Sequence, residues 1–149
     1  MFSSIVVGTD GSETAGKAVL QATELARQVG ASVSLVSAYE PVSSNRLREE
    51  KREVPKDMEW MVNPREDVEA TLKEAAENVE GAGVKVDTFA REGDAADAIL
   101  DVAEETNADL IVVGNKGMTG TKRFLLGSVP NKVTHHAPCS VLVIRVGTD

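Results

Sequence analysis

The sequence predicts an α/β fold: a single doubly wound domain over residues 1–149, with a five-stranded parallel sheet in the order 3-2-1-4-5 and helices on both faces. Three observations predict it. Short apolar runs rich in β-branched residues alternate with segments whose apolar residues recur at helical spacing, giving β-α-β-α-β-α-β-α-β. Such alternation implies a parallel sheet covered on both sides. The runs at 4–7 and 110–113 are almost wholly apolar, as central strands are, whereas the run at 84–87 alternates, as an edge strand does. With right-handed crossovers, the order 3-2-1-4-5 satisfies all three.

Each element has its own signal. Ser4–Val7, ended by Gly8, reads as a buried strand. Ser12 suits a helix N-cap, and Ala15, Ala18, Val19, Ala22, Leu25, Ala26 and Val29 form the apolar face behind it, stopped by Gly30. Val33, Leu35 and Val36 mark a second strand ending near 39–41. Asn63-Pro64-Arg65-Glu66 is a helix start, with Asn as cap, Pro first and Glu third. Val68, Leu72, Ala75, Ala76 and Val79 give that helix its face, and Gly81 and Gly83 close it. Val84 and Val86 alternate with Lys85 and Asp87 in a third strand. Asp94 caps a helix carrying Ala95, Ala98, Ile99, Val102 and Ala103. Strands at 110–113 and 141–146 follow, separated by a glycine-rich loop and a short helix from Ser128 to about His136, which Pro138 cannot continue.

Composition narrows the function. A net charge of −8 argues against a broad nucleic-acid surface. No apolar run approaches the length of a membrane span. The opening MFSSIVVGTD shows neither a basic leader nor a long apolar core, and the single Cys139 allows no internal disulfide, so a cytoplasmic protein is expected. Residues 41–63 fit no element. They hold a charged run, NRLREEKREVPKD, and then MEWMV, and read as a mobile loop whose apolar end tucks back on the domain. Met58, Trp60 and Met61 capping a pocket or meeting a partner is the other reading.

The stretch VVGNKGMTGTKRFLLGS carries the chemistry. Gly114 ends a central strand, Gly117 follows after two residues, and Gly127-Ser128 comes nine residues later where a helix begins. Glycines let backbone approach a ligand, successive N–H groups form an anion nest, and a helix N-terminus adds donors and partial positive charge. Ser128 can cap that helix and offer its hydroxyl to a phosphate, while Lys116, Lys122 and Arg123 add charge. The combination suits a polyphosphate; the plainer alternative is a glycine-rich connection holding nothing. In the 3-2-1-4-5 order the chain reverses direction across the sheet between strands 1 and 4, where ligands bind just past the strands' carboxyl ends. The turn 8–11 and the loop 114–128 converge there. A decoy precedes them: Gly11-Ser-Glu-Thr-Ala-Gly16-Lys17-Ala18 nearly matches G-x-x-x-x-G-K-[ST]. Ala18 stands where a magnesium-binding hydroxyl is needed, and Gly16 and Lys17 already fall inside a helix.

Gly114-x2-Gly117-x9-Gly127-Ser128 matches G-x2-G-x9-G-[ST], the nucleotide-binding signature of the universal stress protein family. IVVGTDGSE at the start, and ADLIVVGNKG and LLGSVPNKVTHHAPCSVLVIR at the end, also resemble that family. The resemblance spans the chain and is weakest over 42–65. It implies an adenine-nucleotide-binding α/β domain, usually a homodimer. By position it implies Thr9 and Asp10 lining the nucleotide, Ala38 near the adenine, and Val113 and Gly114 contacting it through backbone. Gly117, Gly127, Ser128 and Val129 would hold ribose and phosphates. Asp10 would bind ribose hydroxyls or a phosphate-bound Mg2+. ATP is the typical ligand of members with the signature. The SAYEP and GSVPN stretches resemble relatives that prefer cyclic AMP, which leaves cyclic AMP or AMP as the alternative.

Other polar residues offer less. His135 and His136 end a short helix without a ligand cluster, so no metal site is expected. Cys139 opens an apolar strand and reads as core. Glu92 and Asp94 lie near a strand end, Asp94 as a cap. No catalytic Ser–His–Asp or Cys–His set is visible. Three function classes remain: a nucleotide-binding stress or signalling module with little turnover, a slow ATPase relying on Asp10, and a dimeric interaction protein with an empty loop. For assembly, the apolar strand 141–146 lies at a sheet edge without the usual edge protection, which predicts a homodimer through strand pairing.

Overall fold

The computed structural model describes residues 1–39, 64–115 and 126–145. Its elements are β1 (Ser4–Gly8), α1 (Glu13–Val29), β2 (Ser32–Tyr39), α2 (Pro64–Gly81), β3 (Val86–Glu92), α3 (Ala95–Glu105), β4 (Leu110–Gly114), α4 (Ser128–His136) and β5 (Ser140–Ile144). The sheet is parallel throughout, in the order β3-β2-β1-β4-β5. Both the fold class and the strand order are as the sequence predicts. The expected loop at 41–63 and Asn63 as cap lie outside the described residues, and the last strand, expected at 141–146, covers Ser140–Ile144 with Arg145 already beyond it.

The period of two along each strand divides the core between two faces. Ile5 and Val7 of β1 and Leu110 and Val112 of β4 pack with Val19, Ala22 and Ala26 of α1 and Leu72 and Val79 of α2. Their neighbours Val6, Ile111 and Val113 face the other way, against Ile99, Val102 and Ala103 of α3 and Val133 of α4. Central strands covered on both sides must be apolar at every position, which is why β1 and β4 show no alternation.

Caps and clamps fix the element ends. Ser12 Oγ accepts the Ala15 N–H at 3.2 Å, and Asp94 Oδ2 accepts the Asp97 N–H at 3.1 Å. Asp109, just ahead of β4, takes the N–H groups of Ser3 and Ser4 and the Ser3 hydroxyl, tying the start of β1 to its neighbour. Partial burial pulls the Asp109 pKa upward. The amides of Ser3 and Ser4 and the Ser3 hydroxyl outweigh it, holding the carboxyl below the usual range.

Two further boundaries differ from the sequence reading. The third strand begins at Val86 and runs on to Glu92. Val84 belongs to the end of α2 instead: its N–H reaches back to the Val79 carbonyl at 3.4 Å and its side chain is buried against the α1–α2 core. Alternation misleads here because a buried valine just past a helix has the same spacing as a strand residue. Ser128 does not cap the last helix: the N-cap is Gly127, with no side-chain hydrogen bond, and Ser128 is the first helical residue.

Candidate functional site

The site begins with the turn that joins β1 to α1. The Thr9 N–H donates to the Val36 carbonyl at 2.9 Å, which anchors the turn to β2. Thr9 Oγ1 then accepts the Gly11 N–H at 3.2 Å, and Asp10 Oδ1 accepts the Ser12 N–H at 2.9 Å. These local bonds are what threonine and aspartate supply in turns. Asp10 Oδ2 has no hydrogen-bond partner among the described residues. Gly11 has φ of 82°, a conformation other residues rarely adopt, and a Cβ there would stand 2.8 Å from Thr71 Cγ2.

Gly8 lets β1 and α3 close together. A Cβ on it would lie 2.5 Å from Ile99 Cδ1. Ile99 thereby comes right up to the strand end and forms part of the wall of a cleft of about 110 Å3 at the carboxyl ends of β1, β2 and β4. This is the switch point, where β1 and β4 are neighbours but their chains depart to opposite faces of the sheet.

From the far side comes the chain after β4. The Asn115 N–H donates to the Ile144 carbonyl at 2.9 Å, and the Gly127 N–H donates to the Asn115 carbonyl at 3.0 Å. The chain from 115 to 127 therefore returns to its own starting point, and Gly114 and Gly127 lie close together despite their separation in sequence. α4 then starts beside the cleft. Pro130 lacks an N–H, so the first-turn donors without a helical partner are the amides of Ser128 and Val129. They carry the positive end of the helix dipole.

Of the residues singled out from sequence, Thr9, Asp10, Ala38, Val113, Gly114 and Val129 line the cleft. Gly127 and Ser128 sit at the start of α4 without lining it. Gly117, with Lys116, Lys122 and Arg123, lies outside the described residues. Gly8, in the turn the sequence places at the site, also lines it, whereas sequence reasoning missed several lining residues: Ser37, Ala95 and Ile99 among them. Ser37 had a signal, a polar residue inside an otherwise apolar strand end. Ile99 had none, since its spacing says only that it faces the core.

α3 and α4 are linked across this cleft's edge. Lys132 Nζ lies 2.9 Å from Asp97 Oδ1 and 3.4 Å from Asp94 Oδ2. The Asp97 N–H, with Lys132 behind it, holds the Asp94 carboxyl below its ordinary pKa, and hydrogen bonding to Asp97 raises that of Lys132. Gly16 and Lys17 stand within α1, and the Gly16 N–H makes a helical bond to the Ser12 carbonyl, so the near-match to a phosphate loop has helix where it would need loop. They border a separate groove between α1 and α2. Burial raises the Cys139 thiol pKa, away from nucleophilic character. Among the described residues no three His, Cys, Asp or Glu side chains converge as a metal site would require, and no helix is long and apolar enough to cross a membrane.

A doubly wound sheet with a glycine-bordered cleft at its switch point defines a class of ligand-binding α/β proteins. Within it, the chain belongs to the universal stress protein family, whose model matches residues 1–145. Universal stress protein Rv1636 of Mycobacterium tuberculosis is 35% identical over 147 residues, covering 97% of each chain. Universal stress protein MJ0531 of Methanocaldococcus jannaschii is 33% identical over 148 residues, 97% of this chain and 83% of the relative. Among solved structures, a universal stress protein in complex with cAMP superimposes with a TM-score of 0.70 at 30% identity, covering 97% of each chain. The universal stress protein from Archaeoglobus fulgidus in complex with dAMP gives 0.65 at 25% identity, covering 98% of each.

Proposed function

We propose that the protein binds an adenine nucleotide in the switch-point cleft and acts as a stress or signalling module with little or no turnover. The observation that carries this reading is the return of Gly127 onto Asn115, which sets the free amides of an uncapped helix beside an apolar cleft. Apolar walls suit a base, and helix amides suit a phosphate. Ala38 and Val113 then flank the adenine, and Val113 and Gly114 offer backbone contacts. Gly117, Gly127, Ser128 and Val129 hold ribose and phosphates. Thr9 and Asp10 line the sugar side, where Asp10 Oδ2 is available for a ribose hydroxyl or a phosphate-bound Mg2+.

ATP is the ligand favoured by the G-x2-G-x9-G-S spacing. A second reading, cyclic AMP or AMP, is favoured by the solved relatives with cAMP and dAMP. The chain is further proposed to be a cytoplasmic homodimer. β5 is an edge strand, with Leu142 39% exposed, and two copies paired along 141–146 would satisfy each other's outer backbone groups. Extraction of bound nucleotide from gently purified protein tests the reading. Stoichiometric ATP, AMP or cyclic AMP supports it. Protein that carries none and takes up none on incubation leaves a dimeric interaction protein instead.

A further inference from the structure

Two helices of unlike charge open side by side at the cleft: Ala95 of α3 and Val129 and Pro130 of α4 all line it. α3 begins with Asp94 as its cap and carries Asp97 in its first turn. The first turn of α4 has no acidic residue, and its N-cap makes no side-chain hydrogen bond, which leaves its amides for an anion. The two carboxylates of α3 therefore stand beside the place where negative charge would sit. Asp10, the only charged residue among the described ones that line the cleft, adds a third. Unopposed, these carboxylates would repel a phosphate.

Lys132 opposes them. Its Nζ bridges Asp97 Oδ1 at 2.9 Å and Asp94 Oδ2 at 3.4 Å. It follows Val129 by three residues, about 4.5 Å along the helix axis. Helical side chains also lean toward the N-terminus. Its ammonium is thus within about 10 Å of the α4 amides, close enough to act on charge there at low ionic strength. The three side chains are about half exposed, so the pairs add little to stability, but their field reaches the cleft. We propose that Lys132 sets the anion affinity of the cleft by neutralising the carboxylates of α3, an inference that rests on the nucleotide-binding reading above. It acts through Asp94 and Asp97, not by contact with the ligand.

The test is calorimetric titration of wild type, Lys132→Met and Lys132→Met/Asp97→Asn with AMP, cyclic AMP and ATP, at about 20 mM and about 500 mM NaCl. Methionine keeps an aliphatic stem without the charge. Adding Asp97→Asn returns the three side chains to their wild-type net charge of one negative and leaves Asp94 to cap α3. Lys132→Met is expected to bind AMP about threefold more weakly at the lower salt, the scale of one unit charge acting on a phosphate dianion about 9 Å away in water. The loss should be smaller for cyclic AMP and larger for ATP. It should vanish at the higher salt, and the double variant should bind like wild type. Unchanged affinity at low salt, for whichever of the three wild type binds, overturns the proposal. So does a loss that persists at high salt or in the double variant, which makes Lys132 a structural tie or a ligand contact. Wild type that binds none of these compounds fails differently: it removes the nucleotide reading, and the proposal with it.

Discussion

Gly8→Ala should push a side chain into the cleft. The new Cβ would stand 2.5 Å from Ile99 Cδ1 and 3.1 Å from Ile99 Cγ1. Ile99 is 4% exposed and packed within the α3–α4 core, so the cleft it lines is the open direction for it to move. Overpacking of this kind costs about 1–3 kcal/mol, and alanine recovers about 0.5–1 kcal/mol of the strand penalty of glycine. The expected net loss is about 0–2.5 kcal/mol. Ile99→Val removes Cδ1 and alone costs about 0.5–1.5 kcal/mol. Combined, the two should fall short of their sum by about 1 kcal/mol or more, because valine vacates the space alanine needs. Urea denaturation of wild type, both single variants and the double variant measures this, provided the slope m is constant. The same four proteins should rank alike in nucleotide affinity, Gly8→Ala weakest and the double variant restored. Additivity within about 0.5 kcal/mol would refute the packing argument.

Other variants probe separate parts of the fold. Asp109→Ala should cost about 1–2 kcal/mol near neutral pH, a figure for hydrogen bonds to a partly exposed carboxylate. Because the folded pKa of Asp109 is lowered, its contribution is present above the unfolded value of about 3.9 and is lost as pH falls through the folded one. Chemical denaturation from pH 7 down to about 3 should show the gap between wild type and variant closing; a gap that stays constant counts against the carboxylate clamp. Lys17→Ala should leave nucleotide affinity unchanged in a binding titration, and a large loss would revive the phosphate-loop reading of 11–18. Val143→Pro should yield folded monomers by sedimentation beside wild-type dimers, since proline removes a backbone donor from the edge strand; wild type that sediments as a monomer at micromolar concentration would defeat the dimer.

The sheet was legible because burial on two faces leaves a mark that sequence shows directly. β1 and β4 have no polar position to spare, and their neighbours follow from right-handed crossovers. Helix starts were legible where a side chain does the capping, as at Ser12 and Asp94, and misleading where backbone does it, as at Gly127. The start of β3 was missed because Val84 is buried by the end of α2, a contact distant from any strand period. At the site, residues in the two glycine-bearing turns were visible as turn chemistry. Ile99 and Ala95 were not, because a helix residue becomes part of a cleft wall only through the tertiary approach that Gly8 permits.

The most direct measurement is isothermal titration of the purified protein with ATP and with cyclic AMP, repeated on Gly127→Val. Gly127 holds the chain against Asn115 and opens α4, so a bulky residue there should displace the helix amides from the cleft. Saturable binding of one adenine nucleotide per chain to wild type is expected, with binding lost in a Gly127→Val protein whose circular dichroism stays native. No heat from either nucleotide at millimolar concentration, or equal affinity in the folded variant, would contradict a nucleotide site built on the glycine loop and the start of α4.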